Sequence, residues 1–399
     1  MGYALEWVEL AARWTHVIAG VAWIGTSFYF NWLNDRLRPP TRHEPGLVGE
    51  LWSVHGGGFY RAMKYDAVPP STLRELHWFK WEAYLTWLSG AALLVLVYYL
   101  GAETWMVDPG AAAIPPLAAV GIGVATLALG WLVYDRLCRT PLAEHGVAFA
   151  ILGLLLVTGL AFGLLRVIGS RAAYLHVGAM VGTIMAANVF FVIIPAHREL
   201  VRATGAGGAP DPAIGAHAAM RSRHNNYFTL PVLFTMVSGH YPLTYGHPLA
   251  WAILAGLFVV GVVTRHGFNL RNQGKRTAWI FPAAALALLA LALVAAGTGD
   301  RGPERAASDG GAVEYARVRE ILVARCVTCH AEEPAHRLFD APPGGVTLET
   351  LEEAVAWAAR IEAVAVDTRI MPLGNFTGMT DEERAILGRW IEAGTPVDR

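Results

Sequence analysis

Residues 146–165 read Gly-Val-Ala-Phe-Ala-Ile-Leu-Gly-Leu-Leu-Leu-Val-Thr-Gly-Leu-Ala-Phe-Gly-Leu-Leu, a run without a charged side chain. This run predicts a helix that crosses a membrane, because about 20 apolar residues span the roughly 30 Å of hydrocarbon. Backbone amides in lipid must satisfy one another, and an α-helix does this within one segment. The stretch therefore sets the fold class of the N-terminal part of the chain.

Seven further runs resemble it, and together they predict an all-α, polytopic bundle of about eight transmembrane helices over residues 1–297. The composition agrees, since 54% of the 399 residues are hydrophobic and 16% are charged, against about a quarter charged in soluble proteins. The expected surroundings are a lipid bilayer, and no nucleic-acid partner is expected. The eight predicted spans are Trp14–Leu33, Trp81–Leu100, Pro116–Tyr134, Gly146–Leu165, Tyr174–Pro195, Tyr227–Tyr245, Pro248–Thr264 and Ala278–Gly297.

Lysine and arginine are distributed unevenly between the predicted loops. With the N-terminus outside, the four inner loops carry 17 Lys and Arg and the outer segments carry 3. The positive-inside rule then predicts a multi-pass protein of a bacterial inner membrane with its N-terminus in the periplasm. Eight crossings also place the C-terminus on that side.

The last quarter of the chain has a different composition. Residues 300–399 contain 11 Arg and no Lys against 18 Asp and Glu. We predict a flexible polar linker over residues 298–312, followed by a separate periplasmic domain over residues 313–399.

Cys326-Val-Thr-Cys329-His330 is the attachment signature of a c-type haem. The two thiols at this spacing bond the vinyl groups, and His330 ligates the iron. A redox Cys-x-x-Cys pair would need a strand–helix scaffold, which is not apparent here. A zinc site would need a second ligand pair, and the tail has no other cysteine. We therefore predict one covalent haem c, which transfers single electrons.

The residues around the motif predict a small, class-I-like c-type cytochrome domain. An amphipathic helix over residues 314–324 leads into the motif, and Thr380 to Glu383 form a capping box before a second helix. Met371, in Ile370-Met371-Pro372 well beyond His330, is the expected sixth ligand. Its thioether would raise the haem potential, which suits an electron acceptor. Met379 is interpreted as a packing residue. His336 is too close to His330 in sequence to reach the opposite face of the haem.

Ionisable groups inside membrane spans are candidates for function. His16 and His176 lie at similar depths near the outer ends of two spans, and they could ligate a b-type haem that passes electrons to the c-haem. The alternative is a pair of interfacial histidines bonded to backbone or water.

A denser group of cations, amides and aromatic side chains lies toward the inner side, where it could hold a flat, anionic heterocycle. The alternative is ordinary basic loops with an aromatic belt. The candidate substrate or catalytic residues are His77, Lys80, Trp81, Glu82, Asn188, Arg223, His224, Asn225, Asn226, Arg265 and His266.

Two of these stretches carry a resemblance: His77-Trp-Phe-Lys-Trp-Glu-Ala-Tyr-Leu-Thr-Trp-Leu-Ser-Gly90 and Arg223-His-Asn-Asn-Tyr-Phe-Thr-Leu-Pro-Val-Leu-Phe234. With eight spans, a tether and a Cys-x-x-Cys-His domain, the whole chain resembles the membrane-bound, cytochrome-c-linked urate oxidase (urate hydroxylase) family. The resemblance implies oxidation of urate to 5-hydroxyisourate in purine degradation. It also implies that electrons pass through the c-haem to a soluble cytochrome c or a terminal oxidase of the respiratory chain.

Two alternatives remain open at this stage. One is a non-catalytic electron-transfer subunit that takes electrons from quinol or a partner dehydrogenase. The other is a dehydrogenase acting on a related purine or small acid.

Overall fold

The computed structural model describes residues 2–66, 68, 72–73, 76–108, 111–208, 211–297, 315–336 and 339–396. Helices make up 71% of the structure, which confirms the helical class. The linker predicted over residues 298–312 lies outside the described residues, as do residues 313–314 of the predicted C-terminal domain.

The N-terminal part is a bundle of long helices. Two of them continue through a wide π-helical turn, α2 over Leu94–Tyr99 and α6 over Asn188–Ile193. The helices are α1 (Gly2–Arg36), α2 (Trp81–Leu93), α3 (Ala102–Trp105), α4 (Pro116–Leu137), α5 (Gly146–Leu164), α6 (Ser170–Ala187), α7 (Ile194–Gly205), α8 (Pro212–Val237), α9 (Pro242–Tyr245), α10 (Ala250–Asn272) and α11 (Ile280–Gly297).

Within the described ranges, five helices are long and apolar enough to cross a membrane, and not the eight that were predicted. They are Trp81–Tyr99, Pro116–Leu137, Gly146–Leu164, Ser170–Gly205 and Ala250–Asn272. The other three predicted spans are also helical, in α1, α8 and α11. Polar side chains lower the hydropathy of α1 and α8, whereas the apolar part of α11, Ile280–Ala296, is shorter than the rest.

A β-hairpin between α1 and α2 departs from the all-α prediction. Strand β1 (Leu47–His55) pairs antiparallel with β2 (Gly58–Tyr65). Gly56 and Gly57 join the strands with φ of +53° and +80°, and a tight two-residue turn needs such positive values. A hydrogen bond from Arg61 holds the pKa of Glu50 below its ordinary value. The hairpin was missed because residues 35–80 were interpreted as an inner loop from their charge alone.

The C-terminal domain is built on four short helices: α12 (Tyr315–Arg325), α13 (Leu351–Ala356), α14 (Ala358–Ile361) and α15 (Asp381–Glu392). Leu322 of α12 packs with Leu387 and Trp390 of α15 in a core from which water is excluded. The capping box predicted at Thr380 is confirmed, because its side chain accepts from the Glu383 amide and Glu383 binds the Thr380 amide in return.

This domain docks on one end of the helix bundle, called the near end below, where α2 and α8 end and α6 and α10 begin. The opposite end, where α1, α4 and α10 end, is called the far end. At the near end Gly374 has φ +56°, and a Cβ on it would lie 2.8 Å from the Val107 carbonyl oxygen. A Cβ on Gly246 would lie 2.6 Å from Cβ of Thr368. The two surfaces therefore touch where only glycine fits.

Glycines also set the spacing inside the bundle. Gly178 of α6 faces Thr235 of α8 so closely that a Cβ on Gly178 would overlap both Cβ and Oγ1 of the threonine. Thr235 is fully buried and bonded to the Val232 carbonyl, so its side chain has no free space to rotate into. Gly153 of α5, by contrast, faces open space.

We expect Gly178→Ala to destabilise the bundle by about 1–3 kcal/mol, because overpacking forces α6 and α8 apart. Thermal denaturation in detergent, followed by tryptophan fluorescence, should show a midpoint several degrees lower. The matched control, Gly153→Ala, should melt at or above the wild-type temperature. Equal melting of the two variants would contradict the packing described here.

Candidate haem site, polar clusters and interdomain cavity

The Cys-x-x-Cys-His segment forms a tight turn at the end of α12. The amides of Cys329 and His330 both donate to the Cys326 carbonyl, at 3.1 and 2.9 Å. Nδ1 of His330 donates to the backbone oxygen of Val346 at 3.0 Å. This bond fixes the tautomer and leaves Nε2 for a metal, as in other metal-ligating histidines. The segment therefore fits a covalent haem.

The cysteines do not have the character of a redox pair. Removal from water raises the pKa of the Cys326 thiol to about 12, and it raises the pKa of Cys329 as well. A redox Cys-x-x-Cys site lowers the pKa of its attacking thiol to make the thiolate available. Thiols destined for thioether bonds need no such activation in the folded protein.

Met371 lies in a loop that is tied down on both sides. Its amide donates to the Val364 carbonyl at 2.8 Å, and its own carbonyl accepts from Arg384 at 2.6 Å. Its side chain packs against the same core as Cys326. Met379 is 3% exposed and lies within that core. His336 packs against the edge of the Phe376 ring.

Three of the predicted candidates in the bundle belong to one buried network, called the Asn188 network below. Asn188 donates to Asn225 at 2.8 Å and to the Tyr134 hydroxyl at 3.1 Å, and it accepts from Arg221 at 3.2 Å. Arg221 also pairs with Asp135 at 2.8 Å. The members of the Asn188 network are Tyr134, Asp135, Asn188, Arg221, His224 and Asn225.

The sequence analysis missed Tyr134, Asp135 and Arg221. Arg221 lies one helical turn before Asn225, so the spacing of four residues could have placed it on the same face. It is fully buried, and its pairing with α4 could not be read from α8 alone. The members of the Asn188 network bond one another across three helices, and Asn225 and Arg221 also bond Met185 and His217 nearby. We infer that the network holds α4, α6 and α8 together.

A second group at the far end is incomplete in its hydrogen bonds. Oδ1 of Asn226 accepts from Arg265 at 3.0 Å and from Asn269 at 2.9 Å. Nδ2 of Asn226, Nη2 of Arg265 and Oδ1 of Asn269 are buried without a partner in the described part of the chain. Asn226, Arg265 and Asn269 are called the Arg265 group below. Two donors and one acceptor are thus available to a small polar molecule.

The remaining far-end candidates are not gathered around either cluster. Arg223 and His266 are exposed, and His266 bonds the Tyr227 hydroxyl at 2.8 Å. The His77 to Glu82 segment lies at the start of α2, where Lys80 sits 5.6 Å from the Trp81 ring. Near it His77 is exposed, and Oε2 of Glu82 is buried without a described partner.

His16 and His176 are packed against two different helices. Nδ1 of His16 binds the Thr86 carbonyl at 2.9 Å, and its ring faces Gly90 of α2. Nε2 of the buried His176 has no described partner, but a Cβ on Gly123 of α4 would lie 2.5 Å from it. That nitrogen faces a helix backbone and not a gap for a macrocycle. The second haem stays a prediction that this packing does not favour.

A cavity of about 420 Å³ lies at the near end, between the bundle and the C-terminal domain. The bundle contributes Trp105, Arg166 and Arg171, and the C-terminal domain contributes Arg369 and Met371. The predicted sixth ligand of the haem therefore lies at the wall of this cavity. The sequence analysis did not predict the cavity, because its two walls are about 200 residues apart in the chain.

The comparisons with known proteins bear on the bundle. No curated protein and no solved structure matches the chain. A family model described as urate oxidase N-terminal matches residues 2–296, from the start of α1 to the end of α11. The match covers the whole helix bundle and stops before the Cys-x-x-Cys-His domain, and this chain belongs to the urate oxidase N-terminal family.

Proposed function

We propose that this protein is a membrane-bound oxidoreductase that oxidises urate to 5-hydroxyisourate and passes the electrons to its own c-type haem. The observation that carries the proposal is the order of parts within one chain. A urate oxidase N-terminal region fills residues 2–296, and the Cys326-x-x-Cys329-His330 turn follows in a domain that docks on it. One polypeptide thus contains both the region that would oxidise the substrate and the domain that would accept the electrons.

Cys326 and Cys329 would hold the haem covalently, and His330 and Met371 would bind its iron. When bound, the haem supplies a one-electron acceptor whose potential a thioether ligand raises. The chain prepares these positions itself. Val346 orients the imidazole of His330, while Val364 and Arg384 hold the backbone of Met371 in place.

The reaction balances without oxygen. Urate and one water give 5-hydroxyisourate, two electrons and two protons, with the new C–O bond formed at C5 of the purine ring. The electrons leave one at a time and pass to a soluble cytochrome c or a terminal oxidase. Hydrogen peroxide is not formed, because oxygen is not the acceptor.

We also propose that α1, α8 and α11 lie in the membrane with the five longer apolar helices. This gives eight crossings of a bacterial inner membrane, with the N-terminus and the C-terminal domain in the periplasm. The near end then carries the poorly basic outer segments, and the far end carries the 17 Lys and Arg of the inner loops. Docking of the C-terminal domain at the near end agrees with this orientation.

Mixing the oxidised, detergent-solubilised protein with urate without oxygen should reduce the haem. We expect the alpha band to appear as the absorbance of urate falls, with two haems reduced per urate consumed. If the haem stays oxidised with urate but is reduced by a quinol, the protein is an electron-transfer subunit and the proposed function is wrong.

Replacing Met371 by Leu should lower the midpoint potential of the haem, because the iron loses its thioether ligand. A redox titration of the purified protein measures this directly, and urate should then reduce a smaller fraction of the haem. Met379→Leu is the matched control, since it changes a buried methionine of the same domain by a volume-conserving swap. Its potential should equal that of the wild type, and the opposite pattern would assign Met379 as the ligand.

A further inference from the structure

We propose that the cavity between the two domains is the urate-binding site, so that the substrate is oxidised at the near end, beside the Met371 loop. This inference rests on the proposed function and specifies where its substrate binds. It assigns the far-end clusters to other roles, although the sequence placed the candidate substrate residues there.

Two arginines from the outer segments of the bundle lie at the cavity. The outer segments of the bundle contain only three Lys or Arg, at positions 13, 166 and 171. Basic residues are rare on that side of membrane proteins. Two of these three, Arg166 and Arg171, line the cavity. Arg369 of the C-terminal domain also lines it, but its charge is paired with Asp381 at 3.0 Å. Asp108 is the single carboxylate among the lining residues. The charge balance therefore favours an anion.

The guanidinium groups of Arg166 and Arg171 each lie against an aromatic ring. Arg166 lies 3.8 Å from the centre of the Phe162 ring, and Arg171 lies 4.9 Å from that of Trp105. Neither arginine forms an ion pair in the described part of the chain. Nε of Arg171 is buried without a hydrogen-bond partner. A planar donor whose position is fixed by a ring and which lacks an acceptor suits a carbonyl or ring nitrogen of a flat anion.

Two long helices begin at the cavity. α6 begins at Ser170 and α10 begins at Ala250, and both residues line the cavity. Neither helix has an acidic residue in its first turn. The partial positive charge at each N-terminus is therefore left to act on whatever occupies the cavity. Together with the arginines, these helix ends make the cavity attractive to a monoanion.

The shape and composition of the cavity suit a purine ring. Its volume of about 420 Å³ lies within the range of roughly 300–1,000 Å³ of small-molecule sites. Trp105, Tyr245 and Trp251 are among its lining residues, and aromatic side chains suit a flat heterocycle. Urate, which is an anion near neutral pH, combines the required charge and flatness.

The cavity lies much closer to the proposed haem ligand Met371 than the far end of the bundle does. Met371 lies at the wall of the cavity, whereas Arg265 lies 15 residues along α10 from Ala250, roughly 22 Å at 1.5 Å per residue. Electron transfer weakens steeply with distance, so a substrate in the cavity can deliver electrons that a substrate at the Arg265 group cannot deliver directly.

Urate binding to the fully reduced, intact protein tests the proposal, because reduced haem accepts no electrons and no turnover occurs. Isothermal titration without oxygen should show Arg166→Gln and Arg171→Gln each weakening binding by about tenfold, the worth of one charge-assisted hydrogen bond. Arg13→Gln removes the third outer cation, which lies outside the cavity, and should change the affinity less than twofold. Arg166 is exposed, so its variant is expected to fold even if that of Arg171 does not.

Haem reduction gives a second readout. The cavity variants should need about tenfold more urate for half-maximal reduction, while hydroquinone, a neutral reductant, should reduce them as fast as wild type. If Arg265→Gln abolishes urate binding and the cavity variants bind normally, the inference is overturned and the site lies at the far end. If the wild type neither binds urate nor is reduced by it, the proposed function itself fails.

Discussion

The ion pair between Arg221 and Asp135 is the constraint on which the arrangement of the bundle depends. Arg221 is fully buried, and a buried charge without its partner costs several kcal/mol. The pair joins α8 to α4, while Asn188 of α6 binds both the arginine and Asn225. With three helices fixed at the far end and Gly178 against Thr235 further along, the opposite end of α6 is placed where it opens into the interdomain cavity.

Contact between the two domains then determines what the near end can do. Gly374 and Gly246 allow the Met371 loop to lie directly on the bundle, because any larger residue would push the surfaces apart. The same contact brings Arg369 and Met371 to the cavity that Arg166 and Arg171 also line. One interface thus brings together the Met371 loop, which we propose holds the electron acceptor, and the cations that would bind a planar anion. Neither domain contains the proposed site alone.

The far end shows why buried polar residues alone do not identify a substrate site. The side chains of the Asn188 network bond one another or neighbouring residues of the bundle, as expected of a group that fixes helix positions. The Arg265 group has atoms without described partners, yet it lies at the opposite end of the bundle from the C-terminal domain, for which we propose a haem. The two ends of the bundle differ in how far they lie from the proposed electron acceptor. The two far-end clusters differ in whether their buried polar atoms have hydrogen-bond partners, and a list of polar residues shows neither difference.

The helical class, the urate oxidase family, the capping box at Thr380 and the Cys-x-x-Cys-His motif that fits a haem could all be predicted from the sequence alone. These follow from local patterns, because hydrophobic runs, caps and a Cys-x-x-Cys-His turn are each written in a few consecutive residues. The sequence did not reveal the hairpin at Gly56–Gly57, the Arg221–Asp135 pair or the cavity. The last two join residues from distant parts of the chain, and only tertiary packing decides which of them meet. The number of helices that are apolar enough to cross a membrane also differed from the prediction. α1 and α8 are long enough, but their polar side chains lower their mean hydropathy.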